Sequence, residues 1–288
     1  MTPTLRHAGL SLGVVAVLLA AACSRKPADG DQGSAAPGNA AAPAAAGDAA
    51  PIKVAAAADL AFAFKDVGAA FERKTGSKVS FTFGSTGQLA KQISEGAPYD
   101  VFAAANVSYV DDVVKAGACD PDTKARYARG RIVIWTKKSS GVAAAGALTD
   151  LTDARFVKIA IANPEHAPYG RAAKEALEAA GVWEAVKPKI VYGENVQQTL
   201  QFAQTGNTEA AISALSLAMV TEDGAYQLID ESLHKPIDQA VVVCHRGTSV
   251  EVARAFAAFV NSQDGRAIMT RYGFLLPGET VAQSPGKR

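Results

Sequence analysis

Residues 52–64 read IKVAAAADLAFAF. The opening Ile52-Lys53-Val54 is β-type. Four alanines follow, then a single carboxylate, Asp59, and then an apolar stripe at helical spacing: Leu60, Phe64, Val67 and Phe71. The pattern predicts a strand over 52–56 running straight into a helix over 60–74, with Gly76 as its C-terminal cap. The junction is almost bare of side chains, and the first functional group on it is an acid.

The same succession recurs along the chain. Further strands are expected at 78–83, 100–104, 131–136, 157–162, 189–192, 209–213 and 239–244. Helices are expected at 86–95, 108–116, 170–180, 196–205, 249–261 and 264–272. Alternation of strand and helix argues for parallel α/β sheets. The series restarts after residue 137, and the strand at 239–244 with the last two helices reads as a return to the first lobe. The expected organisation is lobe 1 over 51–136 plus 237–288 and lobe 2 over 137–236, joined by two crossings that form a hinge.

The N-terminal 50 residues read differently. Residues 1–22 hold one Arg, no acid and an apolar stretch from Leu10 to Ala22, too short for a comfortable membrane span and suited to a secretory signal. It ends in Ala20-Ala21-Ala22-Cys23, small residues before a cysteine as in a lipoprotein signal. The Leu usual three places before the cysteine is missing, since Leu19 sits one place early. Lipidation of Cys23 is the expectation, with ordinary secretory cleavage and a soluble periplasmic product as the alternative. Residues 24–50 carry no bulky apolar side chain, with Pro27, Pro37, Pro43 and four glycines, and read as a disordered tether.

Composition excludes several classes. Without Arg6, 28 basic residues face 28 acidic ones, and no basic run appears, so nucleic acid is not an expected partner. The sequence has no phosphate-loop motif, GxSxG, HExxH or CxxC, and no histidine has an i, i+4 partner for a metal. Beyond Cys23 only Cys119 and Cys244 remain. An exported pair could form a disulfide. Cys244 sits in an apolar strand, and two buried free thiols is the preferred reading.

What recurs is small or hydroxyl residues where a strand hands over to a helix: Gly84-Ser85-Thr86-Gly87, Asn163 to Gly170, Gly193-Glu194-Asn195-Val196, and the alanines before Asp59. Helix starts carry free N–H groups and partial positive charge, and in open α/β sheets they gather where ligands bind. Four of them around one cleft could hold a tetrahedral oxyanion without Lys or Arg. Each segment alone could equally be ordinary caps and turns.

In order, these segments resemble the periplasmic molybdate-binding proteins of molybdate ABC transporters. The likeness runs from Ile52 to about Pro277 and is carried by FGSTGQLAKQISEGAPYDVF (83–102), IANPEHAPYG (161–170), GENVQQTL (193–200) and RYGFLLP (271–277). It implies a type II periplasmic-binding fold, two α/β lobes with a hinge and an interlobe ligand cleft. It implies no enzyme and no cofactor, with molybdate or tungstate as ligand and molybdenum bound only as the oxyanion. The implied contacts are Ala58 and Asp59, then Thr86 with Ser85 adjacent, then the main-chain N–H groups of Tyr169 and Val196. The implied partners are an inner-membrane permease and, through Cys23, the membrane itself, with the protein a monomer.

Two positions depart from the pattern. Some members place a Tyr hydroxyl from the lobe-2 strand on the anion, whereas Ala214 stands there in AAISALSL. Members usually offer Ser or Asn where Asp59 stands. Its carboxylate is expected to turn away from the ligand and cap the following helix, accepting from the N–H of Ala61 or Phe62. The alternatives are a binding protein for another oxyanion or small organic acid, an exported hydrolase with Ser85 or Thr86 as nucleophile and His166 as base, and a structural envelope lipoprotein.

Overall fold

The chain lays down its strands in two sheets, and the order in which it visits them sets where the site lies. A computed structural model describes residues 50–279. The expected leader, Cys23 and the tether up to residue 49 lie outside the described residues, which belong to one unit.

In chain order the strands are β1 (Ile52–Ala57), β2 (Val79–Gly84), β3 (Val101–Ala104), β4 (Ala125–Gly130), β5 (Ile132–Lys137), β6 (Ile159–Ala162), β7 (Ile190–Gly193), β8 (Ala210–Ala214), β9 (Gly224–Leu228) and β10 (Ile237–Val243). The helices are α1 (Ala63–Thr75), α2 (Thr86–Ser94), α3 (Val107–Lys115), α4 (Pro168–Ala179), α5 (Trp183–Val186), α6 (Val196–Gln204), α7 (Leu215–Ala218), α8 (Val250–Val260) and α9 (Gln263–Arg271). The first sheet has the order β2-β1-β3-β10-β4 and the second β7-β6-β8-β5-β9.

Both sheets are mixed rather than purely parallel. β1 is parallel to β2 and β3, and β6 to β7 and β8. β10 runs antiparallel to β3 and β4, and β5 antiparallel to β8 and β9. The antiparallel strand in each sheet is the one that enters from the other sheet. A strand fed in by a crossing connection needs no helical crossover and is free to run the opposite way. The stretch 131–136, expected to close lobe 1, is β5 and pairs in the second sheet, so the chain changes sheets at Arg131. Two strands escaped the sequence reading, β4 and β9, each at a sheet edge with several polar or exposed residues.

The end of the chain returns to the first sheet. α8 and α9 pack on α1, and Phe64, Phe71, Phe81 and Phe256 form a cluster of tilted and edge-on rings. The RYGFLLP segment then adds to the edge of β4: Arg129 N–H donates to Leu275 O at 2.7 Å and Leu275 N–H to Arg129 O at 3.1 Å. At the sheet change, the Arg131 guanidinium donates twice to Gly273 O, at 3.0 and 2.8 Å.

Cys119 and Cys244 are joined in a disulfide, which corrects the expectation of free thiols. Both are buried, and they face each other where the segment after α3 bridges the end of β10. His245 N–H to Ala118 O and Asp120 N–H to Val243 O, both 2.9 Å, hold the two segments side by side. The pairing depends on β10 coming home beside α3, a long-range fact that residues near either cysteine do not encode.

Candidate oxyanion site

The site follows from two level strand ends. Ala57, last in β1, is in register with Gly84, last in β2. Ala162, last in β6, is in register with Gly193, last in β7. In each sheet two parallel neighbours stop together, so the segments that follow start side by side and turn into helices. The four segments meet across the cleft around one small cavity of about 10 Å³. Ala58, Asp59, Ser85, Thr86, Tyr169 and Val196 all line this space.

The polar groups offered to it are mainly donors. Thr86 and Val196 are the first residues of α2 and α6, and Tyr169 is the second of α4. At these positions the helical ladder supplies the N–H with no acceptor. Local caps do not compete for them. Ser85 makes no capping bond, and the Asn195 carboxamide accepts from Gln197 and Gln198, beyond Val196. Pro168, at the start of α4, has no N–H, which makes that of Tyr169 the first of its helix. The Thr86 hydroxyl accepts from Ala105 N–H at 3.2 Å, which leaves its own proton to donate.

Ser85 is engaged differently. Its hydroxyl lies 2.7 Å from His166 O, to which it donates, and 2.8 Å from His166 Nδ1. With its one proton on the carbonyl, Ser85 receives the Nδ1 proton of His166. Gly87 N–H donates to the same carbonyl at 2.9 Å. A Cβ at position 87 would stand 2.8 Å from that oxygen, so the close approach of the His166 loop requires glycine there. Ser85 and Gly87 thus tie the first lobe to the loop before α4.

Asp59 is buried inside a 3-10 turn, Ala58–Leu60, and caps nothing. This corrects the expected N-cap, because α1 begins only at Ala63, and its N-cap residue is Phe62. The carboxylate does turn to protein partners. Oδ2 accepts from the Tyr169 hydroxyl at 2.9 Å and from Gln239 Nε2 at 2.6 Å. Gln239 is oriented in turn by Tyr127, whose hydroxyl donates to its Oε1 at 2.8 Å. Oδ1 is buried with no hydrogen-bond partner among the described residues. Burial pushes the carboxyl up from 3.8 to about 6, against the opposing pull of the Gln239 and Tyr169 bonds and of its own backbone N–H. Burial and the Asp59 charge together hold the phenols of Tyr127 and Tyr169 well above their ordinary value.

This cluster bridges both lobes, and Gly130 makes room for it. A Cβ at 130 would lie 1.9 Å from the Tyr169 hydroxyl oxygen, so Tyr169 reaches Asp59 only past a glycine. Sequence reading missed Gln239 and Tyr127 as supports. The visible signal was Gln239 itself, an uncharged polar residue opening the apolar run QAVVVC.

The profile of the bacterial extracellular solute-binding proteins matches residues 52–275. The chain belongs to that family. Within it, a molybdate-binding protein of Rhodobacter capsulatus is 36% identical over 235 residues, 81% of this chain and 90% of its own. One of Azotobacter vinelandii is 35% identical over 234 residues, 80% of this chain and 91% of its own. The solved periplasmic molybdate-binding protein of Azotobacter vinelandii superposes with a TM-score of 0.73 at 26% identity, covering 78% of this chain and 99% of that one. The two-sheet architecture is therefore the type II periplasmic-binding fold.

The other departure noted in the sequence, Ala214, is also resolved in position. Ala214 ends β8, buried and away from the cavity wall. Two residues on, Ser216 of α7 reaches across instead, its hydroxyl donating to Asp59 O at 2.8 Å.

Proposed function

We propose that this solute-binding protein takes up molybdate, and tungstate with it, and delivers the anion to an ABC permease in the inner membrane. The observation that carries the reading is that three helix starts, of α2, α4 and α6, and the 58–60 turn line one small cavity, the helix starts with N–H groups their ladders leave free. Such a ring favours an anion and needs no cation. The names of the relatives point the same way. Ala58, Asp59, Thr86, Tyr169 and Val196 are the direct contacts in this reading, and Ser85 acts through His166. Molybdate and tungstate have longer metal–oxygen bonds than the sulfur–oxygen bonds of sulfate, and a rigid ring of donors does not shrink onto the smaller ion. Lobe 2 swings on the two crossings, near Arg131 and before β10, to admit the ligand. The protein works as a monomer, exported and held to the membrane by a lipid on Cys23.

Calorimetric titration of the protein tests the ligand. Molybdate and tungstate should bind one site at micromolar dissociation constants or tighter, about −8 kcal/mol, with sulfate at least about 100-fold weaker. Sulfate binding as tightly as molybdate sinks the assignment. Membrane release of Cys23→Ser with anion binding intact tests the anchor.

One observation favours a second reading, a hydrolase: Ser85 Oγ lies 2.8 Å from His166 Nδ1. Against it, the serine proton is directed to a backbone carbonyl, so the imidazole is a donor there rather than a base. Ester turnover that disappears in His166→Ala would revive this reading.

A further inference from the structure

We propose that Asp59 binds the anion as a carboxylic acid with its proton on Oδ1, so that each dianion enters the site together with one proton taken from solvent. The inference rests on the oxyanion reading above and adds a proton to its stoichiometry.

The geometry assigns the two carboxyl oxygens different tasks. Oδ2 is held by two donors, Tyr169 and Gln239, and Tyr127 fixes the polarity of Gln239. A proton on Oδ2 would face donors, so the only oxygen with room for one is Oδ1, buried and without a partner. Asp59 lines the cavity, and with Oδ2 held by two donors Oδ1 is its one carboxyl oxygen without a side-chain partner; on this proposal that oxygen faces the anion. An ionised Oδ1 would meet a dianion as a bare negative charge. A protonated one adds a donor to a ring of donors.

Among the described residues no neighbouring cation relieves the charge. Of the elements packed on the 58–60 turn, β2, α6 and α7 hold no titratable side chain. On α4, Arg171 engages the Tyr109 hydroxyl, Lys174 pairs with Glu178, and Glu175 with Lys235. On β4, Arg126 and Arg129 both pair with Asp238, which alternates with Gln239 to the opposite face of β10. Arg131 is spent on Gly273 O, and His166 on Ser85. Tyr127 and Tyr169 remain, both neutral and themselves held protonated. In the free protein, burial places the Asp59 carboxyl near 6, so at pH 7 protonation reduces apparent affinity only about tenfold.

The test is calorimetry of the full-length protein with molybdate at pH 5.5 to 9, in buffers of different ionisation enthalpy. About one proton should be taken up per molybdate at pH 8 and about a quarter of one at pH 5.5. The association constant should fall about tenfold per pH unit above 7 and level off below 6. In Asp59→Asn the same two donors hold the amide oxygen and turn the NH2 to the cavity. That variant should bind molybdate with no proton uptake and no pH dependence, about 100-fold tighter than the wild type at pH 8. Wild-type affinity that is flat from pH 6 to 9, or binding without proton uptake at pH 8, overturns the proton linkage and leaves the oxyanion reading standing. Absence of molybdate binding at every pH overturns both.

Discussion

A buried acid with no cation beside it destabilises the fold it sits in, and Asp59 lets that penalty be measured without any ligand. Its folded value, about 6, lies above its ordinary value of 3.8. The folded state therefore binds the proton more tightly than the unfolded chain. The stability contributed by this group is fully present below about pH 4 and is lost as pH rises through 6. At pH 7.5 the loss amounts to about 3 kcal/mol, from a shift of about two units. Asp59→Asn should accordingly raise the unfolding free energy from denaturant titration at pH 7.5 by that amount and leave it nearly unchanged at pH 4. Equal gains at both values would mean that the carboxylate is not strained by burial. The acid's presence at the end of β1 was plain in the sequence, but its partners were not. Gln239 lies 180 residues away and Tyr127 on a strand that was not foreseen. The local rule, that Asp caps helices, was outweighed by two donors arriving from elsewhere.

At the scale of elements, the strand ends and helix starts were legible because local pattern fixes them: alternation stops, small residues follow, and an apolar stripe at helical spacing begins. The edge strands β4 and β9 were not legible, since edges tolerate polar residues and their pairing is set by distant neighbours. One buried side chain shows how the elements of the first lobe are locked. Asp100, just before β3, accepts from Lys53 N–H at 2.7 Å, from Ser249 N–H at 3.1 Å and from Thr248 N–H. It thereby joins the start of β1 to the turn that launches α8. Asp100→Ala leaves three N–H groups to find new partners and should lower stability by about 3 kcal/mol in urea titration. Molybdate affinity should hold, because the site lies at the other ends of β1 and β3. A variant of wild-type stability would show that water replaces the carboxylate.

For the whole molecule, the bonds across the cleft describe a closed form. Tyr169 to Asp59, Ser216 to Asp59 O and Gly87 to His166 O each join one lobe to the other. They should form fully only when ligand draws the two donor sets together. Small-angle scattering should therefore show the radius of gyration fall on adding molybdate. In Gly87→Ala, whose methyl would press on the His166 carbonyl, compaction should be weaker and affinity at least tenfold lower. Profiles unchanged by saturating molybdate would refute closure. The sheet change at Arg131 rather than after Lys137 matters here, because it hands β5 to the second sheet, the side that the proposed closure moves. The disulfide has a separate consequence. Cys119 lies in the first lobe before β4 and Cys244 in the same lobe just after β10, so β4, the whole second lobe and β10 are strung between them as a covalently closed loop of 125-residue separation. A single protease cut anywhere in that loop would sever the chain without parting the pieces. The nicked protein should migrate as one band under oxidising electrophoresis and as two once thiol is added. A protease that cuts once there releases no fragment until the clasp is reduced.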